Sequence, residues 1–136
     1  MKILVIEDQE PPLEAFKYHL SRADGVTFDV AKWYIAAEKL ISEYQYDVIF
    51  LDHRMPYEDP GCTDTEDFDR FCDQLKNIGY GLLPLIKDKQ PGAIVIGTSS
   101  LSNNEIGRYT IPERTIVKYE AWKTLPEVLK ELMVVK

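Results

Sequence analysis

Three short apolar runs constrain the fold of this chain more than any other feature. They lie at residues 3–6, 48–51 and 93–96, and each is uninterrupted and contains β-branched residues. A strand that is covered on both faces shows no polar side, so such runs are typical of parallel sheets. Helical patterns separate the runs, and this alternation predicts helices on both faces of the sheet.

The segments between the runs carry weaker patterns. Apolar residues at helical spacing predict three helices, at residues 11–23, 36–44 and 81–90. Alternating residues predict a strand at 26–30, and a last strand is predicted at 115–118. A closing helix is predicted from Thr124, which has capping-box spacing to Glu127. Residues 101–111 are polar and predict at most a weak helix. The predicted fold is an α/β, doubly wound, five-stranded parallel sheet.

An extra segment follows the third strand, at about residues 57–80. It begins with an acidic stretch in which Thr63 and Glu66 have the spacing of a capping box. Apolar residues then recur at helical spacing over residues 68–78, and Gly79 is a plausible residue just beyond a helix end. The pattern predicts an acidic loop followed by one amphipathic helix. This insertion is either a surface elaboration or a lid or partner-docking element.

Composition limits the class of protein. Hydrophobic residues make up 45% and charged residues 29% of the 136 positions, which is typical of a globular domain, and residues 1–136 are predicted to form one. The net charge of −7 without a basic block argues against nucleic-acid binding. No apolar run is long enough to cross a membrane and no signal peptide is evident, so we expect a cytoplasmic protein. Cys62 and Cys72 are expected to be reduced rather than a redox pair.

Polar side chains with complementary chemistry follow the predicted strands. Glu7 and Asp8 follow the first, Asp52 the third, Thr98 the fourth, and Lys118 ends the fifth. If the strand order is 2-1-3-4-5, the first and third strands are neighbours and their carboxylates converge at the switch point. Hard oxygen ligands favour Mg²⁺ or Mn²⁺. A carboxylate nucleophile, a cation, a lysine and a hydroxyl form a plausible phosphoryl-transfer set.

With these residues in order, the chain resembles the receiver domain of two-component response regulators, a flavodoxin-like fold. The resemblance covers nearly the whole chain. The matching pieces are residues 3–8, residues 47–52, Met55 with Pro56, residues 94–98 and residues 116–118. Each motif alone is weak, whereas five matched positions on the right elements are specific.

The resemblance implies a role for each matched residue. Asp52 matches the aspartate that takes a phosphoryl group from a histidine kinase or phosphotransfer protein. The implied metal ligands are Asp8, Asp52, Glu7 and the backbone carbonyl of Arg54. Thr98 matches the hydroxyl residue that turns toward the phosphoryl group, and Lys118 matches the lysine that pairs with its oxygens. Such a domain catalyses only its own phosphorylation and dephosphorylation, and signals by changing its binding to a downstream protein. No output domain fits in the chain, so a stand-alone receiver is expected.

The chain departs from the family pattern in four places. Tyr119 stands where a proline usually follows the lysine, and Thr115 stands where an aromatic residue is usual. The insertion at 57–80 and the weak helix at 101–111 are the other two departures. Arg54, beside the site, could hinder attacking water or contact a partner.

Two other functions remain open at this point. The first is a receiver-like protein-binding module that works without phosphorylation, which Thr115 and Tyr119 favour. The second is a metal-dependent phosphohydrolase with an aspartyl nucleophile, which the sequence opposes because Arg54 stands where a second aspartate would be needed. His53 is predicted to be a packed loop residue rather than a metal ligand. The sequence does not identify the kinase, the downstream partner or the oligomeric state.

Overall fold

A computed structural model gives the fold and describes residues 1–98, 112, 114–116 and 121–135. The strands are β1 (Lys2–Ile6), β2 (Thr27–Ala31), β3 (Val48–Leu51), β4 (Arg54–Pro56), β5 (Leu75–Asn77), β6 (Ile94–Gly97) and β7 (Arg114–Thr115). The α-helices are α1 (Glu10–Arg22), α2 (Tyr34–Glu43), α3 (Phe68–Cys72), α4 (Leu83–Lys89) and α5 (Ala121–Val135), and a 3-10 turn at Gly79–Leu82 precedes α4.

The main sheet has five parallel strands in the order β2-β1-β3-β6-β7. Counted along the chain among the strands of this sheet, the order is 2-1-3-4-5, which confirms the predicted doubly wound topology. The described residues also contain a separate two-stranded antiparallel pair, β4 with β5. Strand β5 belongs to the insertion after β3, and β4 immediately precedes that insertion.

The central strands are buried on both faces, which explains their uninterrupted apolar runs. In β1, Ile3 and Val5 pack into a core that also holds residues of α1 and α5. Leu4 and Ile6 point to the opposite face, into a core with residues of α2 and α4. All four side chains are at most 1% exposed. Because burying such a side chain contributes roughly 1.5–3 kcal/mol, these strands provide much of the driving force for the sheet.

The strand register aligns the carboxyl ends of three neighbouring strands. Ile6 of β1 pairs with Leu51 of β3, which pairs in turn with Gly97 of β6. Backbone hydrogen bonds continue one step beyond these ends. The Asp52 N–H donates to the Ile6 carbonyl at 3.3 Å, and the Thr98 N–H donates to the Leu51 carbonyl at 3.0 Å. The polar residues after the strands are therefore held by the ladder itself.

The insertion differs from its prediction. The expected helix over residues 68–78 is limited to α3, and the chain then extends as β5 to pair with β4. Phe71 is buried, whereas Phe68, assigned to the same apolar face, is 60% exposed. Thr63 and Glu66 do make both reciprocal capping-box bonds, at 3.1 and 3.2 Å, but these bonds close a turn before α3. Pairing with β4 gives residues 75–77 hydrogen-bond partners outside their own segment.

Two helix boundaries also differ from the prediction. Gly79 begins the 3-10 turn that leads into α4, rather than following a helix end. Helix α5 begins at Ala121, so Thr124 lies inside the helix and is not its N-cap. Pro126 also lies inside α5, beyond its first turn, and contributes no backbone N–H to the hydrogen bonds of the helix. The predicted weak helix at 101–111 lies outside the described residues. Among the described helices, none is long and apolar enough to span a membrane.

Gln90, buried at the end of α4, joins this helix to the end of α2 and to the segment that leads into β3. Its side-chain oxygen accepts from the Tyr46 N–H at 2.8 Å. Its side-chain nitrogen donates to the Ile41 and Tyr44 carbonyls at 2.9 and 2.7 Å, at the carboxyl end of α2. The side chain is 2% exposed, so these backbone groups depend on it in place of water.

Replacing Gln90 by leucine is expected to destabilise the protein by about 3 kcal/mol, because backbone groups lose their partner in a buried setting. Urea unfolding measures the difference. Gln45, which is exposed and donates to the Lys89 carbonyl at 3.2 Å, provides a matched control. Gln45→Ala should change the free energy of unfolding by less than about 0.5 kcal/mol. Equal effects of the two substitutions would contradict this role of Gln90.

Candidate metal and phosphoacceptor site

The structure brings three carboxylates together at the carboxyl ends of β1 and β3. Glu7, Asp8 and Asp52 each offer an oxygen, and these oxygens lie within 4.8 Å of one another. Their side chains are 1%, 2% and 1% exposed. Glu7 and Asp8 follow β1 directly, and Asp52 follows β3. The parallel pairing of these two strands therefore creates the cluster.

Local hydrogen bonds orient two of these carboxylates. One Asp52 oxygen, Oδ1, accepts from the His53 N–H at 2.8 Å. The Glu7 oxygen Oε2 accepts from the Gln9 N–H at 3.1 Å, across the turn that leads into α1. Both bonds hold a carboxylate against its own loop. The side chains are thus fixed by the backbone that follows each strand.

The electrostatics of the cluster favour a divalent cation. Buried carboxylates at this separation repel one another, and a nearby positive charge lowers the cost of ionising them. Oxygen-only ligand sets at such sites suit Mg²⁺ or Mn²⁺. The donor atoms of Glu7, Asp8 and Asp52 therefore fit the predicted metal. Among the described residues, no other acidic, histidine or cysteine group forms a comparable cluster.

Thr98 lies at the end of β6, beside the strand that carries Asp52. Its side chain is 1% exposed, and its backbone N–H is used in the ladder bond to Leu51. Within the part of the chain that the structure describes, the hydroxyl oxygen has no hydrogen-bond partner. Because a buried hydroxyl without a partner costs about 1–3 kcal/mol, this position is suited to a polar ligand atom. The predicted Lys118, like Tyr119, lies outside the described residues.

Arg54 lies in β4 with its side chain exposed. It pairs with Asn77, and the preceding carbonyl, that of His53, accepts from the Ile78 N–H at 3.0 Å. In an antiparallel ladder the carbonyls of successive residues point to opposite sides. The Arg54 carbonyl is therefore directed away from β5.

His53, the residue after Asp52, binds the end of the insertion through three hydrogen bonds. Its carbonyl accepts from the N–H groups of Ile78 and Gly79, at 3.0 and 2.7 Å, and its Nδ1 accepts from the Tyr80 N–H at 3.0 Å. Three consecutive backbone donors thus converge on one residue. His53 is fully buried, which confirms the prediction that it packs.

Gly79 packs directly against the Asp52 backbone. A Cβ atom on this residue would lie 1.9 Å from the Asp52 carbonyl oxygen and 2.6 Å from the Met55 Cε. Any side chain would have to displace the backbone of Asp52. The sequence reasoning missed this role of Gly79 and the role of Tyr80 beside it, because a contact between residues so far apart in the chain has no local pattern.

The insertion forms one wall of a cleft that opens beside Asp8. The cleft has a volume of about 250 Å³ and lies between Lys32 and Trp33 on one side and residues 59–63 on the other. The N–H of Glu10, the first residue of α1, donates to Asp64 of the insertion at 3.0 Å. Lys32 pairs with the Glu10 carboxylate. The insertion is therefore attached next to the carboxylate cluster.

Mg²⁺ is expected to stabilise the protein through these carboxylates. At a concentration of 100 times the dissociation constant, the gain in free energy of unfolding should be about 2.7 kcal/mol. Asp8→Asn should lose most of this gain, because it removes one charged ligand. Urea unfolding with and without Mg²⁺ measures both proteins. Glu58→Gln, which removes one exposed carboxylate of the insertion, is the control and should keep the full gain. An equal gain in the Asp8 variant would rule out this ligand set.

No family model and no curated protein sequence matches the chain. Solved structures do match it. The receiver domain of a Francisella response regulator is 23% identical with a TM-score of 0.64, over 96% of this chain and 94% of that chain. The Thermotoga maritima response regulator protein TrrA, in complex with Mg²⁺ and BeF, is 24% identical with a TM-score of 0.66, over 96% and 97%. A CheY-like receiver domain protein from Methanospirillum hungatei is 15% identical with a TM-score of 0.63, over 99% and 98%. This chain therefore has the fold of response regulator receiver domains.

Proposed function

We propose that this chain is a phosphoacceptor signalling domain. Asp52 takes a phosphoryl group from a histidine kinase or a phosphotransfer protein in a Mg²⁺-dependent reaction, and the phosphorylated form changes its binding to a downstream protein. The observation that carries the proposal is the convergence of Glu7, Asp8 and Asp52, all buried, at the carboxyl ends of β1 and β3. The receiver fold supports it, because the cluster lies at the switch point in strand order.

In the proposed reaction, a carboxylate oxygen of Asp52 attacks the phosphorus of a phosphohistidine. The new O–P bond forms as the N–P bond breaks, and the released imidazole nitrogen takes up a proton. Water later attacks the acyl phosphate, which returns the Asp52 carboxylate and releases inorganic phosphate. The hydrogen bond from the His53 N–H holds the Asp52 carboxylate in place for the attack.

The charge that develops on the phosphoryl oxygens must be neutralised. A Mg²⁺ ion held by Asp8, Asp52, Glu7 and the Arg54 carbonyl would supply positive charge there. Thr98 would donate its hydroxyl hydrogen to a phosphoryl oxygen, and Lys118 would contribute a second positive charge. The buried Thr98 hydroxyl, which has no partner in the described part of the chain, supports the first of these roles. The TrrA structure, with Mg²⁺ and BeF bound to the same fold, supports the choice of metal.

A receiver-like binding module that works without phosphorylation is the second candidate. One observation favours it: Thr115, which stands at the usual position of an aromatic residue in the family, is exposed at the end of β7 and carries no ring. In such a module the carboxylate cluster would persist, but partner affinity would not depend on a phosphoryl group. The two candidates differ in whether Asp52 accepts phosphate.

Incubation with a small-molecule phosphodonor and Mg²⁺ should add one phosphoryl group to the wild-type protein. Intact-mass spectrometry measures the adduct. Asp52→Asn should show none, because the amide is a far weaker nucleophile than the carboxylate. Omitting Mg²⁺ should also prevent the adduct.

Asp88→Asn is the matched control, because Asp88 is an exposed aspartate on α4, away from the cluster. This variant should be labelled like the wild type. A folded wild-type protein that takes no adduct would exclude phosphoacceptor function and leave the binding module. Labelling that persists in Asp52→Asn would assign the chemistry to another residue.

A further inference from the structure

Tyr80 spans the space between the Asp52 loop, which is residues 52–53 between β3 and β4, and the end of β6. Its ring stacks on the His53 imidazole with a centroid distance of 4.4 Å and an interplanar angle of 26°. At its other end, the hydroxyl oxygen lies 2.8 Å from the position that a Cβ on Gly97 would take. The side chain is 2% exposed. One buried ring therefore touches the neighbour of Asp52 and the neighbour of Thr98.

Gly97 leaves the room that the Tyr80 hydroxyl occupies. The same Cβ position would lie 3.1 Å from the Thr115 Cγ2 and 3.1 Å from the Pro112 Cγ. Gly97 pairs with Thr115 in the sheet, and its carbonyl accepts from the Ile116 N–H at 2.8 Å. The hydroxyl end of Tyr80 thus sits where β6 and β7 meet. A shift of the ring would press on both strand ends.

We propose that Tyr80 is a positioning residue that couples the Asp52 loop to the ends of β6 and β7. Thr115 at the end of β7 carries no aromatic ring, so the Tyr80 ring provides the contact between the Asp52 loop and the end of β6. The coupling deepens the proposed function, since it would relay the phosphorylation state of Asp52 to the β6–β7 edge. The physical link itself does not depend on that function.

Close packing lets a displacement at one end of the Tyr80 ring reach the residues at its other end. Buried side chains fill their space like the molecules of an organic crystal, so a displacement at one end of a ring is passed to its neighbours. At the His53 end, the backbone N–H of Tyr80 is also bound, to the His53 Nδ1. The ring and the backbone of Tyr80 therefore follow His53 together. At the Gly97 end, three side chains surround a position with no spare room.

The contact through Tyr80 can be tested without phosphorylation by adding a methyl group at the end of β6. Gly97→Ala places a methyl group against the Tyr80 hydroxyl, and the NMR signals of the His53 ring should move. In the double variant Gly97→Ala with Tyr80→Phe, the hydroxyl is gone and the His53 signals should stay at their Tyr80→Phe positions. His19, the second of the two histidines, lies on α1 and serves as the internal reference.

Each outcome of this test is decisive. His53 signals that move equally with and without the Tyr80 hydroxyl, or that do not move in Gly97→Ala, would overturn the proposal. If Gly97→Ala strongly destabilises the protein, the double variant should be more stable than the single one in urea unfolding, because the shortest of the three contacts is relieved. A double variant as unstable as the single one would also overturn the proposal.

A second measurement tests whether the contact through Tyr80 affects the proposed phosphorylation of Asp52. The rate of adduct formation with a small-molecule phosphodonor and Mg²⁺ should fall about tenfold in Gly97→Ala, because small misplacements of reacting groups are costly. The rate should recover in the double variant. An equally slow double variant would overturn the coupling to Asp52. If no protein, including the wild type, forms an adduct, the phosphoacceptor proposal fails, and the His53 signals alone decide the role of Tyr80.

Discussion

The register between β1 and β3 is the constraint on which the site depends. It sets Ile6 beside Leu51, so that the residues after each strand emerge at the same edge. A slip by one residue would turn every side chain of a strand to the opposite face, and the close packing of the two cores opposes it. The hydrophobic cores thus hold three mutually repelling carboxylates within 4.8 Å of one another. The stability of the sheet offsets the electrostatic cost of the site.

The sequence predicted this part of the molecule because its signals are local and periodic. A strand buried on both faces has a recognisable composition, and its polar residues mark where it ends. The runs at residues 3–6 and 48–51 therefore yielded two of the strands, and the 2-1-3-4-5 order of the resembling family then implied the convergence of Asp8 with Asp52. The observed bounds of β1 and β3 differ from the predicted bounds by at most one residue. The carboxylates then meet because the carboxyl ends of neighbouring parallel strands lie at a common edge of the sheet.

The insertion could not be predicted in the same way. Spacings of three and four residues over 68–78 satisfy a helical pattern, but a short helix followed by a turn and a strand presents similar spacings. The choice was made by a partner outside the segment, namely the edge of β4. The same holds for Gly79 and Tyr80, whose contacts are with residues 52, 53 and 97. Such contacts depend on the assembled fold, and a single sequence carries no pattern for them.

The anchors of the insertion favour a role at the site over simple surface decoration. Its start is held at α2, where the Ile35 N–H donates to the Tyr57 carbonyl at 3.0 Å and Tyr57 stacks on Tyr34. Its acidic turn is held by the bond from Glu10 to Asp64, and its end by the three donors on His53. These attachments lie at the start, the acidic turn and the end of the insertion, and residues 59–63 line the opening beside Asp8. The insertion therefore lies beside the opening next to Asp8 and, at Gly79, directly against the Asp52 backbone.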